Sequence, residues 1–522
     1  MSAGVSVPVV VVGAGPVGLA AALLLARHGV EVLVLERRAN RSDHPKARGL
    51  RMRASELAAL WGFDDELRAD AMPDETHRFI YTESLAGEEI ARTATMTSID
   101  ESWGAVPPYR VPQDVLEQLL EARVTATHGI TLRRGVTVQG LEQDEFGAGL
   151  TLDDGSKLRA EWVIAADGVA SGIRSSLGIQ FGSGGPTPYW QSVYWLGDLR
   201  DLTADRPAII YYTRADARAL VGVAPAGPHG RWITIAQNPP SAARPNPLDH
   251  DQAVALTRRA VGRPNLEVNV ISSETFRISA DVAERYRVGR VLLAGDAAHS
   301  LPPTGGFGIN TGFADAHNLA WKLGLVLDGR ARDSLLDSYE SERKPVAESN
   351  AAWATANARR NIAVKEAMIA DDRATLRALL ADQQAHVDPV VQDLGFSYAP
   401  LGEGTPSPFV VPTLGARAPH APVAAGSLLA LFEGRMSLLA ADPGSPWIAA
   451  ARVLADPDLQ VLAPGRGFEP AGSLFSERYD IGDDAILVRP DGHIGWRSTG
   501  EPATPETLAR SLDAIRTVGG VW

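Results

Sequence analysis

The N-terminal part of the chain alternates short β-branched runs with a longer helix-compatible run. Val7–Val12 predicts a strand buried on both faces, and the run Val17–Ala26 predicts a helix that ends at His28-Gly29. Val30–Leu35 predicts a second buried strand, which ends at Glu36. The order strand, helix, strand predicts one βαβ unit.

Further strand-like runs follow, and one region differs from the rest. Residues 182–277 alternate short aromatic-rich runs with Pro/Gly turns, which predicts an antiparallel sheet. Buried strands and an amphipathic helix resume after it, so the first domain continues beyond this sheet. The predicted elements on both sides and within the region are Thr131–Val138, the hairpin Leu150–Leu158, Trp162–Ala166, Ser192–Leu196, Ala208–Tyr212, Trp232–Ala236, Val291–Ala294 and the helix Thr311–Leu327.

The last third of the chain changes character twice. Residues 332–393 are charged and helical in pattern, whereas the segment Ser397–Val423 is rich in proline and typical of a linker. A C-terminal unit follows, with strand-like runs, a hairpin at Ile486–Trp496 and a final helix capped by Thr504. We therefore predict an α/β fold with a discontinuous first domain (1–80, 105–181 and 278–395), an inserted β-sheet domain (81–104 and 182–277), a linker (396–423) and a C-terminal unit (424–522).

Length and composition narrow the function classes. A chain of 522 residues exceeds the usual size of one domain, and it carries a formal net charge of −13. The acidic balance argues against nucleic acid or an acidic membrane surface as a partner, so we expect a small-molecule ligand. The chain has no cysteine, which excludes disulfides, thiolate zinc sites, iron–sulfur clusters and a cysteinyl-flavin link. We predict no metal site.

The uncharged N-terminus does not indicate a targeting or membrane segment. The first 26 residues lack a basic region, and Pro8, Gly13, Gly15, Pro16 and Gly18 interrupt them. No other stretch approaches 18 uncharged apolar residues. We expect a cytoplasmic protein without a membrane partner.

The turn after the first strand carries a dinucleotide fingerprint. The sequence Gly13-Ala14-Gly15-Pro16-Val17-Gly18 follows a strand, opens a helix and precedes Glu36 by the usual distance. Gly15 would let backbone N–H groups approach a pyrophosphate, and Glu36 would accept hydrogen bonds from a ribose. This fingerprint fits NAD and FAD equally.

A second motif lies at the end of the later strand. Gly295-Asp296 places a carboxylate at a strand end, where it suits a ribityl or sugar hydroxyl. A Pro-Pro pair and a glycine-rich loop then lead into the next predicted helix, over residues 302–310. The N-terminus of that helix would stabilise negative charge on a reduced flavin ring.

With these motifs the chain resembles the class A, single-component flavoprotein aromatic hydroxylases, the family of para-hydroxybenzoate and phenol hydroxylases. Three motifs agree in order: the glycine fingerprint, the Asp-Gly motif at Asp167-Gly168, and Gly295-Asp296. The resemblance implies a Rossmann-type FAD-binding domain, with the inserted antiparallel sheet binding the substrate. It implies cofactor contacts from Gly13, Ala14, Gly15, Pro16, Val17, Gly18, Glu36, Arg37, Lys46, Arg48, Gln113, Asp167, Asp296, Pro303, Gly306, Gly308, Ile309 and Asn310.

Two departures from the family pattern concern the phosphate region and the C-terminal unit. Lys46 replaces the usual arginine near the FAD phosphates, and Arg48 is expected to share its role. The C-terminal unit resembles the thioredoxin-like appendage of the phenol and polyketide hydroxylase branch. Without cysteine it has no thiol exchange, which leaves packing, oligomerisation or an interaction. A homodimer is compatible with that appendage.

The resemblance assigns catalysis to the flavin rather than to a side chain, so no catalytic residue is predicted. Pro303 and Gly308 are expected to line the flavin, and His299 is expected to be structural. Aromatic and cationic candidates for a substrate wall lie on or near the predicted sheet, although aromatic residues also serve as plain core there. The candidates are Trp103, Tyr194, Tyr212, Arg214, Trp232 and Pro303.

The implied function is an NAD(P)H- and O2-dependent monooxygenase with non-covalent FAD and NADPH as the expected donor. It would hydroxylate a phenolic aromatic compound, foremost a polycyclic aromatic polyketide, through a C4a-hydroperoxyflavin. Three alternatives stay open: Baeyer–Villiger oxygenation, hydroxylation of simple phenols, and a redox-silent flavin-binding protein.

Overall fold

The structure is a computed structural model of the chain. It describes residues 5–73, 78–93, 103–104, 106–182, 187–216, 219–228, 230–241, 243–387, 390–398, 412–424 and 426–520. Parts of two predicted segments, 94–102 of the inserted domain and 399–411 of the linker, lie outside these residues.

The first domain is built on a largely parallel sheet with the order β15-β16-β8-β1-β2-β5. β16, β8, β1, β2 and β5 run in parallel, so their carboxyl ends share one edge. The elements up to residue 176 are β1 (Val5–Val12), α1 (Pro16–Arg27), β2 (Val32–Glu36), α2 (Met52–Leu60), α3 (Asp64–Asp70), β3 (Phe79–Thr82), β4 (Glu89–Arg92), α4 (Gln113–Ala126), β5 (Ile130–Arg134), β6 (Val138–Asp144), β7 (Gly147–Leu152), β8 (Lys157–Ala165) and α5 (Gly172–Ser176).

The inserted domain is a second sheet with the order β13-β9-β12-β11-β10-β3-β4. Its pairs are antiparallel except β3 with β10, which are parallel because the chain passes through the first domain between them. Helix α7 covers one face and packs its Ala253, Leu256 and Ala260 there. The elements of this region are β9 (Thr187–Leu196), α6 (Arg200–Thr203), β10 (Ile210–Asp216), β11 (Ala219–Pro225), β12 (Arg231–Ser241), α7 (His250–Val261) and β13 (Asn269–Arg277).

The chain then returns to the first domain and adds its long helices. β16 completes the parallel sheet beside β8, and α8 packs against α1. The elements are β14 (Asp281–Val282), β15 (Arg287–Val288), β16 (Val291–Leu293), β17 (His299–Ser300), α8 (Gly308–Leu327), α9 (Asp337–Ile369), α10 (Arg373–Val387) and α11 (Val390–Leu394). No helix among the residues in the described ranges is both long and apolar enough to cross a membrane.

The C-terminal unit has the thioredoxin-like arrangement. β20 pairs in parallel with β21 and antiparallel with β23, β23 pairs antiparallel with β24, and α15 closes the unit. Its elements are β18 (Pro422–Val423), β19 (Gly426–Ser427), α12 (Leu429–Phe432), β20 (Met436–Ala440), α13 (Pro446–Leu454), β21 (Leu459–Pro464), β22 (Gly467–Phe468), α14 (Leu474–Arg478), β23 (Ala485–Val488), β24 (Ile494–Arg497) and α15 (Pro505–Val518).

Residues 412–423, at the C-terminal end of the predicted linker, are part of this unit rather than a spacer. The backbone N–H groups of Gly415 and Ala418 donate to the carbonyls of Ile494 and Gly492, both at 2.8 Å. Ala418 and Ala421 are buried in the core of the unit. Proline content alone suggested a spacer here, but the short apolar residues between the prolines pack onto the hairpin.

Buried ion pairs join the C-terminal unit to the first domain. Glu342 of α9 accepts hydrogen bonds from Lys322 Nζ at 2.7 Å and from Arg489 Nη1 at 2.7 Å. Arg489 also pairs with Asp491, and all four side chains are at most 2% exposed. A second pair joins Glu56 of α2 to Arg417, and the C-terminal unit is therefore docked through compensated buried charges.

Candidate functional site

The glycine fingerprint forms a tight turn at the shared carboxyl edge of the parallel sheet. Gly13 donates its N–H to the Leu35 carbonyl at 2.7 Å and has a φ of +108°, which only glycine adopts readily. A Cβ on Gly13 would collide with the Ala166 carbonyl, and one on Gly18 would collide with the Gly13 carbonyl. These two glycines are therefore required by the fold itself.

Gly15 is different, because a Cβ there would meet nothing within 4 Å. It precedes α1, whose first residue is Pro16, and its N–H borders open space at the positive end of the helix. Glu36, at the end of β2, accepts hydrogen bonds from the N–H groups of Ala14 and Arg38, each at 2.9 Å. Arg37 beside it is exposed. The turn and the carboxylate thus border one groove.

The two other motif carboxylates lie at the ends of the neighbouring strands. Asp167 follows β8 and accepts from the Ile173 N–H at 3.3 Å, while its Oδ1 is buried without a partner among the described residues. Asp296 follows β16, and its side chain is exposed to the groove although protein surrounds it. Burial raises the pKa of the Asp296 carboxyl, and His299 and Lys46 partly offset this rise.

Buried polar groups hold the Gly295-Asp296 turn from behind. Asp315 accepts from the Gly295 N–H at 3.2 Å, from His299 Nε2 at 2.6 Å and from Arg343 Nε at 2.9 Å. His299, Asp315 and Arg343 are fully buried, so they position the turn and are shut off from a substrate. Sequence spacing did not reveal Arg343, because it acts from another helix.

The loop that leads into α8 is pinned by its neighbours and open on one side. Asn310 accepts from the Arg51 N–H at 2.8 Å and donates to the Gly306 carbonyl at 2.5 Å. Arg51 also donates to the Gly305 carbonyl at 2.6 Å. A Cβ at Gly306 or Gly308 would meet nothing within 4 Å, so this loop leaves space above its backbone.

The remaining loop residues differ in exposure. Pro303 is exposed, and its carbonyl accepts the N–H groups of Gly305 and Gly306. Ile309 packs its side chain against the core of the first domain. Pro303 therefore stands at the open side of the loop, while Ile309 anchors the start of α8.

Residues 44–51 run along the groove between the first domain and the inserted sheet. Lys46 is exposed and acts electrostatically on Asp296. Gln113 ties the segment down, because its Oε1 accepts from the Ala47 N–H at 3.1 Å. Arg48 points away from the glycine turn and donates to carbonyls of the sheet, so the structure does not bring its guanidinium to the expected phosphate region.

His44 connects this segment to the inserted sheet, a role that the sequence did not indicate. Its Nδ1 lies 2.9 Å from Ser272 Oγ and its Nε2 lies 2.8 Å from Ser192 Oγ, so it joins this segment to β13 and β9. Burial, followed by the charge of Lys46, lowers the pKa of His44 to about 4. Its partners are more than 140 positions away, beyond the reach of any local signal.

The predicted substrate-wall residues fall into two groups. Tyr194 and Tyr212 lie on the sheet face opposite α7: Tyr194 Oη lies 3.4 Å from Asp114 of α4, and Tyr212 packs with Met368 of α9. Ile233 and Ile235 share this face beside Tyr194. Tyr212 and Ile235 of this face are partly exposed, whereas Tyr194 and Ile233 are buried.

Of the remaining candidates, Pro303 stands on the flavin loop, Trp232 and Trp103 lie away from this face, and Arg214 shares the face with Tyr212 but is held by protein partners. Trp232 stacks on Trp195 in the core beneath α7, because strand alternation puts it on the opposite face from Ile233. Arg214 is held by Glu83 and by the Met368 carbonyl. Trp103 packs against Met52, Val390 and Leu394 near α11.

The groove fits a bound FAD on three observations of this chain. Open space lies at Gly15, Gly306 and Gly308, where a backbone can approach a ligand closely. Asp167 keeps an unpaired buried oxygen beside the glycine turn, and Asp296 presents a carboxylate to the groove. Glu36, Asp296 and Lys46 would hold the ribose, the ribityl chain and the phosphates, respectively.

Comparison with known proteins agrees with this geometry. Residues 6–354 match the family described as "FAD binding domain", and residues 411–516 match "Aromatic-ring hydroxylase, C-terminal". The chain is 35% identical to aklavinone 12-hydroxylase RdmE of Streptomyces purpurascens, over 99% of this chain and 98% of that protein.

Solved structures agree along the whole chain. The flavin-dependent monooxygenase PieE in complex with FAD and substrate is 30% identical, with a TM-score of 0.88 over 97% of this chain and 99% of PieE. Aklavinone-11 hydroxylase in a ternary complex with FAD and aklavinone is 32% identical, with a TM-score of 0.83 over 98% of both chains. The groove, the ordered motifs and these matches together show that the chain belongs to the FAD-dependent aromatic-ring hydroxylases and is an FAD-dependent monooxygenase.

Proposed function

We propose that this protein hydroxylates a phenolic ring of a polycyclic aromatic polyketide, with NADPH as electron donor and O2 as oxygen source. The observation that carries the proposal is the sheet face opposite α7, which carries the aromatic and aliphatic side chains of Tyr194, Tyr212, Ile233 and Ile235. Flat aromatic and aliphatic surface suits a planar polycyclic ligand and excludes water from it. The relatives that act on aklavinone support the same substrate class.

Bound FAD supplies hydride acceptance and oxygen activation, and the chain supplies the surroundings. The α8 N-terminus and the loop pinned by Asn310 would orient the flavin ring, while Pro303 stands at the open side of that loop.

The test uses the purified protein loaded with FAD. Stopped-flow reduction by NADPH and by NADH is measured with polycyclic phenols and with simple phenols, and the product is analysed after turnover under ¹⁸O2. We expect stimulation by a polycyclic phenol, preference for NADPH and one labelled oxygen as a ring hydroxyl. A labelled lactone would instead indicate Baeyer–Villiger oxygenation, stimulation by simple phenols alone would contradict the polyketide assignment, and no stimulated reduction would refute the proposal.

A further inference from the structure

Arg48 crosses from the cofactor domain to the inserted sheet. Its Nη1 donates to the Ile209 carbonyl at 2.8 Å and to the Pro225 carbonyl at 3.3 Å. Ile209 directly precedes β10, and Pro225 ends β11. One nitrogen therefore makes both contacts with the sheet, and these contacts fix the guanidinium where β10 begins and β11 ends.

The other nitrogens of this guanidinium are not used by the protein. Nε and Nη2 of Arg48 have no hydrogen-bond partner in the described part of the chain, and neither is among its buried unpaired atoms. The side chain is partly accessible but enclosed, which is the position of a group that lines a cleft. Burial lowers the pKa of Arg48 to about 10, so the guanidinium keeps its charge at neutral pH.

Tyr212 stands beside this cation with its hydroxyl also unused. Its ring stacks on Tyr81, with centroids 5.3 Å apart and planes 19° apart. No partner for the Tyr212 hydroxyl occurs among the described residues, and Tyr212 lies on β10 three residues after Ile209, whose carbonyl binds Arg48. Burial raises the pKa of Tyr212 to about 12, which keeps the phenol neutral and able to donate.

The segment that carries Arg48 lies next to the expected flavin position. Arg48 is the middle of a short segment whose two ends meet cofactor-site residues: Lys46 acts on Asp296, and the Arg51 N–H donates to Asn310. The Arg48 side chain leaves this segment towards the sheet. The guanidinium therefore lies between the Asn310 loop, which the same segment contacts, and the ends of β10 and β11 that its Nη1 binds.

We infer that Arg48, assisted by Tyr212, binds the ionised ring hydroxyl of the substrate, an inference that rests on the proposed function. An enclosed guanidinium with two unused donor nitrogens and no carboxylate partner among the described residues suits an anionic ligand. A phenolate oxygen accepts hydrogen bonds from Nε and Nη2 of Arg48, while the phenol proton leaves to solvent. The cation thus favours the ionised ring, which is the more electron-rich form for hydroxylation.

The test measures binding and ionisation of alizarin, a dihydroxyanthraquinone that changes colour when it loses a proton. The holoenzyme is titrated with alizarin at several pH values, in the wild type and in Arg48→Met, Arg48→Lys and Tyr212→Phe. Arg214→Met is the matched control, because Arg214 on the same sheet is paired with Glu83. The dimethyl ether of alizarin is the non-ionisable control, and FAD affinity is measured for every variant.

We expect Arg48→Met to weaken alizarin binding about 10- to 100-fold and to raise the pKa of bound alizarin by about 1–3 pH units. Arg48→Lys should retain part of both effects, Tyr212→Phe should lose roughly 2- to 10-fold in binding, and the ether should bind equally to all. An Arg48→Met variant that resembles Arg214→Met, or that loses FAD instead of alizarin, overturns the inference while the proposed function stands. A wild-type holoenzyme that binds no polycyclic phenol refutes both.

Discussion

Replacing Glu342 by glutamine is expected to destabilise the docking of the C-terminal unit by several kcal/mol. Glu342 is 2% exposed and shares a buried cluster with Lys322, Arg489 and Asp491, whose formal charges cancel. Glu342→Gln keeps the shape but leaves one uncompensated positive charge in the interface. Removing one partner of a buried pair costs about 3–5 kcal/mol.

The loss is measured by urea unfolding at pH 7 with saturating FAD, followed by tryptophan fluorescence, since Trp321 donates to Asp491 in the same interface. Because several domains unfold, the transition of the C-terminal unit is fitted separately. Glu142→Gln is the control: its pair with Lys157 is exposed and worth less than about 1 kcal/mol.

A double variant separates charge from packing. Lys322→Met with Glu342→Gln restores a neutral cluster, so it should be less destabilised than the sum of its single variants. A loss for Glu342→Gln no larger than that of Glu142→Gln, or strict additivity in the double variant, would refute the reasoning.

Three further predictions concern the groove. Because the pKa of buried His44 is about 4 against an ordinary 6.5, the unfolded state binds the extra proton between these values, and stability falls as pH drops through this window by up to about 3 kcal/mol. His44→Gln should flatten the pH dependence of urea unfolding; an unchanged slope contradicts this origin. Gly15→Ala should leave the stability of the apoprotein unchanged but weaken FAD binding at least roughly tenfold, since its Cβ fills only ligand space; equal FAD affinity by fluorescence titration would be the opposite result. Asp296→Ala should lower FAD affinity about 10- to 100-fold through lost hydrogen bonds to ligand hydroxyls, whereas retention of FAD on gel filtration would place the ribityl chain elsewhere.

The local sequence was sufficient to predict those parts of the fold and of the site that neighbouring residues in the chain form. The turn Gly13–Gly18 and Glu36 belong to one βαβ unit of adjacent elements, and the structure brings them to one sheet edge as expected. The order of the three motifs likewise predicted the cofactor and the family, as the comparisons confirm. The groove-forming part of the fold was therefore accessible without coordinates.

The remaining features depend on contacts between residues far apart in the chain, which the local sequence does not reveal. Alternation along β12 separates Trp232 from Ile233, but only the position of α7 determines which face is core. Arg48 follows Lys46 by two residues, yet its partners lie more than 150 positions away on β10 and β11. The same holds for the Pro-rich segment, whose packing depends on a hairpin near residue 492.

The pairing of β16 with β8 has a consequence for folding of the chain during translation. Val291 comes 126 positions after Ala165, so on the ribosome the part of the β8 edge that pairs with β16 stays unpaired while that stretch is made, roughly 6–25 s at about 5–20 residues per second. Val163–Ala165 is an apolar edge during this interval, a template for wrong pairing. Asp296 emerges together with β16, so the same step that pairs this edge also adds the carboxylate that we expect to bind the ribityl chain.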